Sequence, residues 1–438
     1  MNDRLQVIIQ NALDTQKIPD ELYTFYDVKK GLRNEDGTGV LVGLTRICDV
    51  EGYKRHADGT KQDIPGELYY RGIPLEDVYD KVACHDVSGF EEISFLLLFG
   101  YLPGEEDLTV FKQELRTQYE LPAAFLLNNI LKATSLNTMN KIQSALLMLY
   151  AEDDNPDDCS ASNMLRIGLS LIAKLPAIMV YSHQVKRYHD SDSSLVIHPI
   201  RHDLDIAESI LYLLRGEDSY TEEEIQLLDL MMILHADHGV GNNSTFASLV
   251  VSSTGTDLYS SFSTAVGSLK GPKHGGANIT CKRMMDAVIA AVGTDASDDD
   301  ILAIVKKIVA GEFYDGSGLV YGIGHAVYTI SDPRCELLKQ KAVEVAENKG
   351  RLSELYFYNR FERIAVDYLR EAKGRNLCAN VDFYSGLIYE LMQIPEDLYT
   401  PIFVASRAVG WLSHIIEEKI NSGRIIRPAG KYVGEKHI

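Results

Sequence analysis

The stretch "TEEEIQLLDLMMILHADH", residues 221–238, decides the fold class of this chain. Thr221 followed three residues later by Glu224 is a capping box, two side chains that satisfy each other's orphan backbone donors at a helix start. From Ile225 to Leu234 apolar residues occupy almost every face. A helix half in water would keep a polar stripe, so this one is predicted to be buried all round. It runs into a polar cluster of His235, Asp237 and His238.

The same logic extends outward. "SDDDILAIVKKIVAGE" (297–312) opens with acids, places Ile301, Ile304, Val305 and Ile308 on one face, and puts Lys306 and Lys307 before Gly311. Thr400-Pro401 starts, and Gly423 stops, a helix through "PIFVASRAVGWLSHIIEEKINSG" (401–423). Strand signals are confined to "GVLVGLTRI" (39–47) and the neighbourhood of "GELYYRG" (66–72). Strands and helices do not alternate, which excludes a doubly wound sheet and leaves a mainly α protein.

With 438 residues the chain has length for two or three domains. Its net charge of −20 excludes a phosphate-backbone binder, because neutralising phosphates needs a basic face. An anionic small molecule would need a local cluster of Arg and His working against the overall field. Cys48, Cys84, Cys159, Cys281, Cys335 and Cys378 are scattered without metal-type spacing, which points to free thiols in a reducing compartment. "MNDRLQVIIQ" lacks the pattern of a secretion leader, and no apolar run is expected to reach membrane-spanning length. The expectation is a soluble cytoplasmic protein with no nucleic-acid or membrane partner. Polar breaks at 151–162, 188–194 and 293–300 are too short for flexible linkers, and no internal repeat is present.

Three segments carry histidines in unusual surroundings. In "LHADHGVGNNST" (234–245), His235 and His238 stand three apart at a helix end with Asp237 between them. A metal-dependent hydrolase is one reading; a zincin would space its histidines by four and add a glutamate. In "GPKHGGAN" (271–278) glycines flank His274 without the lysine and hydroxyl of a phosphate loop, leaving a turn or a place where a ligand packs against the imidazole. In "YGIGHAVYTISDPR" (321–334), Gly322 and Gly324 precede His325, and Arg334 follows in an Asp-Pro-Arg turn. No strand precedes this Gly-x-Gly, so dinucleotide binding is not supported. "NVDFYSG" (380–386) sets Asp382 among apolar and aromatic residues, where desolvation would raise its pKa and make it a usable base; helix capping is the ordinary alternative. "SRAVGWLSH" carries Arg407 on nearly one helix face with Trp411 and His414, and "RIIRPAG" adds Arg424 and Arg427.

Together these segments, in this order and spacing, resemble the citrate synthase family from about residue 66 to 428, with "GELYYRGIPLEDV" and "LIAKLP" as further matching pieces. The resemblance implies a nearly all-helical protein with a large domain (1–277 and 388–438) and a small domain (278–387) closing over a cleft. It implies condensation of acetyl-CoA with oxaloacetate, then hydrolysis of citryl-CoA to citrate and CoA. A 2-methylcitrate synthase using propionyl-CoA is the nearest alternative. Asp382 matches the base that deprotonates the thioester methyl, His274 the donor to the enol oxygen, with its tautomer set by surrounding backbone, and His325 the group that polarises the ketone and protonates the new alkoxide. His238 matches the oxaloacetate-binding histidine, with His235 structural. Arg334, Arg407 and Arg427 match the carboxylate-binding arginines, the last reaching across a homodimer interface. No cofactor or metal is implied, since acetyl-CoA is a substrate. CoA contacts are expected from the backbone of "LVYGIG" (319–324), including Gly322 and Gly324. Ala326 and Thr329 stand where many relatives carry a basic residue for the CoA phosphates, and Arg375, at a position where relatives carry lysine, is the candidate replacement. Ala379 stands for the usual proline before "NVD".

Overall fold

The computed structural model describes residues 2–15, 17–82, 89–191, 193–421 and 423–434. Among them are eighteen α-helices and one three-stranded antiparallel sheet, as the mainly α reading requires. The helix Glu222–His235 forms with its capping box in place: Glu224 N–H donates to Thr221 Oγ1, and Thr221 N–H donates to Glu224 Oε2. The box of Ser297 and Asp300 likewise opens the helix Asp298–Val309.

The sheet departs from expectation. Residues 40–47 are not a strand; the first strand, β1, is Cys48–Arg55, paired with β2, Lys61–Tyr70, and the short β3, Ile73–Pro74. The apolar alternation in "GVLVGLTRI" has no sheet to pack on, and Leu41 and Leu44 are 86% and 91% exposed. The helix Ala161–Asp190 overturns a second expectation, because by length and composition it could cross a membrane. It is a core helix: 78% of its apolar window is buried inside the protein, against the helix Tyr399–Asn421 among others.

The chain divides into two compact units. One comprises residues up to Val42 with those from Arg427 on. It contains the amphipathic helix Asp3–Thr15, whose Leu5, Val7, Ile8 and Leu13 are exposed, and an extended carboxyl-terminal segment in which Lys431 lies over the ring of Tyr26. The other, Gly43–Ile426, holds the main core. Its centre is the helix Tyr399–Asn421, buried continuously from Tyr399 to Ile415, so that it is apolar all round except where it delivers Arg407 and His414. Helices Ala277–Val292, Asp298–Val309, Pro333–Asn348, Leu352–Lys373 and Val381–Leu391 pack chiefly on one another within this unit. Cys48, Cys281, Cys335 and Cys378 are buried free thiols and Cys159 is a partly buried one; Cys84 lies outside the described residues.

Candidate active site

The helix Glu222–His235 ends at His235, so the two histidines of "HADH" do not share a helix face. His235 Nδ1 turns back to the carbonyl of Met231 at 2.7 Å, and burial drives its pKa down to about 3. It is a structural imidazole. Asp237 turns the other way, with Oδ2 2.8 Å from His414 Nε2 in a fully buried pair. Burial works against the carboxylate, yet His414 and Arg407 hold its pKa below the usual range. The pair therefore does not converge with His238 on a metal, and among the described residues no three His, Cys, Asp or Glu side chains do.

His238 lies past the helix end with its Nε2 buried and unpartnered among the described residues. Its ring meets that of His325 edge-on, centroids 5.1 Å apart at 77°. Burial, reinforced by the nearby Arg334, His325, Arg407 and His274, pushes its pKa well down, so the ring is neutral at pH 7. All four groups therefore lie near His238.

The loop carrying His325 is fastened to the segment carrying Asp382. Gly324 N–H donates to the carbonyl of Cys378 at 2.7 Å, Asn380 N–H to that of Gly322 at 2.9 Å, and Asn380 Nδ2 to that of Gly324 at 2.8 Å. Gly322 allows this because its φ of +80° is left-handed and a Cβ there would lie 2.7 Å from Cys281 Sγ. Both glycines are thus committed to internal pairing. His325 Nδ1 accepts the N–H groups of Val327 and Tyr328 at 3.1 Å each, which leaves the ring hydrogen on Nε2. Asp382, in the first turn of Val381–Leu391, has Oδ1 buried without a partner among the described residues. Burial raises its pKa to about 7, tempered by Arg334 and Arg407 and reinforced by Asp332.

Arg407 and Arg334 differ in a way the motifs do not reveal. Arg407 is fully buried; its Nε donates to the carbonyl of His235 at 2.5 Å, its plane lies over Phe403, and Nη1 and Nη2 have no partner among the described residues. Burial lowers its pKa to about 10, still charged at pH 7. Arg334 instead forms a buried two-point pair with Asp332, Nε to Oδ1 at 3.0 Å and Nη2 to Oδ2 at 2.8 Å. Asp332 also caps the helix Pro333–Asn348 and accepts the N–H of Val381, tying Arg334 to the Asp382 helix. Its signal was the Asp before Pro, which marks an N-cap but gives no hint of the second partner.

His274 stands in the turn before Ala277–Val292, with its pKa lowered to about 4 by burial and by Arg407. Its Nε2 lies 3.2 Å from Ser244 Oγ, a fully buried hydroxyl able to donate to that nitrogen or accept from it. Ser244 also receives the indole N–H of Trp411 at 3.1 Å and lies 2.8 Å from Asn242 Oδ1. Its single hydrogen goes either to Asn242 or to His274. Ser244 was missed in the sequence because a serine 30 residues away carries no local signal. Arg375 and Arg427 are exposed, and Arg427 belongs to the other compact unit.

A mainly α protein that gathers imidazoles of lowered pKa, a buried guanidinium with two nitrogens lacking partners among the described residues and a carboxyl of raised pKa has the groups that carbon-acid chemistry on a small carboxylate requires. The family model described as citrate synthase, C-terminal domain, matches residues 34–429. The citrate synthase of Haloferax volcanii is 34% identical over 419 residues, covering 94% of this chain and 97% of that one. The 2-methylcitrate synthase of Shewanella oneidensis is 32% identical over 372 residues, covering 84% and 88%. Among solved structures, a ternary complex of Thermoplasma acidophilum citrate synthase with carboxymethyl coenzyme A and oxaloacetate superposes with a TM-score of 0.75 at 27% identity, covering 94% of this chain and 97% of that one. The chain belongs to the citrate synthase family, and it is an acyltransferase.

Proposed function

We propose that this enzyme condenses acetyl-CoA with oxaloacetate and hydrolyses the resulting thioester to citrate and CoA. The observation that carries this reading is Arg407: a buried cation with two unpartnered nitrogens, beside a neutral His238 whose Nε2 also lacks a partner. Such a site is built for a carboxylate, and a bidentate guanidinium suits it.

Each step falls to a group with suitable protonation. Asp382, ionised above about pH 7, takes a methyl proton from the thioester. His274, neutral, donates to the enol oxygen, a stabilisation of about 3 kcal/mol for such donors. For that donor to be Nδ1, the ring proton moves from Nε2 to Nδ1 by exchange with water, and Ser244 turns its hydroxyl hydrogen from Asn242 to the bare Nε2. The enol carbon then adds to the ketone, and His325 gives the Nε2 hydrogen to the new alkoxide. Water cleaves the thioester, releasing CoA. His238 and Arg407 hold oxaloacetate together with Arg334, which Asp332 steadies. Arg427 serves the neighbouring copy in a homodimer; its exposure supports that assignment.

Residues 278–387 form the smaller, closing domain of this scheme, a division supported by the mutual packing of their helices. Arg375, which is exposed, faces CoA, with Gly322 and Gly324 shaping the adjoining loop, and no cofactor is required. The buried free thiols support a cytoplasmic setting. Thiol release with oxaloacetate and acetyl-CoA, with citrate identified as product, tests the reading. A higher kcat/KM with propionyl-CoA would replace it with 2-methylcitrate synthesis.

A further inference from the structure

Tyr328 was singled out neither by motif nor by chemistry, yet it is fully buried against the imidazoles. Its ring stacks on His325 at 4.6 Å and 21°, meets His238 edge-on at 5.5 Å, and lies 5.8 Å from the Arg334 guanidinium carbon. Its backbone N–H is one of the two donors to His325 Nδ1. Its hydroxyl has no partner among the described residues.

Beneath this ring lies the β1–β2 hairpin. A Cβ on Gly66 would sit 2.6 Å from the Tyr328 ring and 2.2 Å from the Ser331 carbonyl oxygen; one on Gly52 would sit 2.4 Å from the Val327 carbonyl oxygen. Distances that short are not tolerated, so the loop 327–331 rests on the hairpin only because both positions are glycine. Gly66 N–H also donates to Ser331 Oγ at 3.2 Å. The ladder is irregular at this place, with the register shifting between Glu51 and Tyr53, as bulges do where a strand is re-aimed.

We propose that Tyr328, seated on Gly66, is a positioning residue that fixes the His325 ring for proton donation, and that it acts through its aromatic face and not its hydroxyl. The inference rests on the role given to His325 above. Without the stacked ring the imidazole can tilt, and a misplacement of about 1 Å costs on the order of 100-fold in rate.

Three variants test this: Tyr328→Phe, Tyr328→Leu and Gly66→Val. Turnover is followed by thiol release, oxaloacetate affinity by calorimetry, and the His325 tautomer by nitrogen-proton NMR of the imidazoles. Tyr328→Phe should retain kcat within about threefold and the Nε2–H form. Tyr328→Leu and Gly66→Val should lose about 10- to 100-fold in kcat, with a change in oxaloacetate affinity smaller than the fall in kcat, and show mixed tautomers. A phenylalanine variant as impaired as the leucine one, or a leucine variant with wild-type turnover and spectrum, overturns the proposal. A wild-type enzyme without thiol release would instead defeat the functional reading, while the spectra would still decide the positioning of His325.

Discussion

Replacing Asp382 with Asn should stabilise the protein while abolishing its turnover. In the unfolded chain this carboxyl has its ordinary pKa of 3.8, and in the fold burial raises it to about 7. The folded state therefore holds the proton more tightly. As pH rises from about 4 to 7 the native state loses stability relative to the unfolded one, and above 7 the loss is complete. At about 1.4 kcal/mol per pH unit this interval corresponds to about 4 kcal/mol, and water reaching the partly exposed side chain reduces it to about 2. Asparagine keeps the shape without the charge, so at pH 8 the variant should exceed wild type by about 2 kcal/mol and at pH 4 match it. Urea unfolding at both pH values, read as the difference between the two proteins, isolates this group from every other titration. Equal stability at pH 8, or an advantage that does not fade towards pH 4, would refute the argument. Near-normal thiol release by the variant would remove Asp382 from the role of base.

Arg407→Leu should weaken oxaloacetate binding by about 30-fold or more without destabilising the apo-protein, since it replaces a buried unpaired cation; calorimetry and thermal unfolding check both halves. Asp229, whose buried carboxyl is pushed up to about 7 while accepting the Phe90 N–H, behaves like Asp382 without contacting the site. Asp229→Asn should therefore raise stability at pH 8, not at pH 4, with kcat unchanged. Gly322→Ala forces a side chain against Cys281 and Phe383 at a left-handed φ and should cost about 2 kcal/mol or more, with a fall in kcat, as unfolding and rate measurements will show.

What was legible in the sequence is what local chemistry dictates. Capping boxes at Thr221 and Ser297 and the unbroken apolar run after Glu224 define helices without reference to anything distant. The segment 39–47 misleads for the converse reason: alternation describes a strand's faces, but a strand exists only where a partner offers hydrogen bonds. Membrane-length apolarity in 161–190 was masked by Arg166, Lys174 and Pro176, which the fold accommodates at its edges and interior. At the site, the histidines and arginines stand in recognisable motifs. Ser244, Asp332 and Tyr328 lie inside the same segments without a signal of their own, because each acquires its role from a neighbour brought near by the fold: His274, Val381 and Gly66 respectively.

An acidic protein that binds a dianion must concentrate positive charge where the substrate lies, and on the roles proposed above Arg334 and Arg407 divide the task. Arg334 is neutralised by Asp332 and contributes geometry: it links the Asp382 helix to the loop that follows His325. Arg407 has no hydrogen-bonded counter-charge among the described residues. Its charge lowers the pKa of His274 and, less than that of Arg334, opposes the rise that burial imposes on Asp382. A carboxylate bound to Arg407 cancels it, so the base becomes stronger once the ketone is in place. A stronger base is what abstraction of a weakly acidic thioester proton demands. On the roles proposed above, the charge that recruits the first substrate also helps to restrain the base until that substrate has arrived.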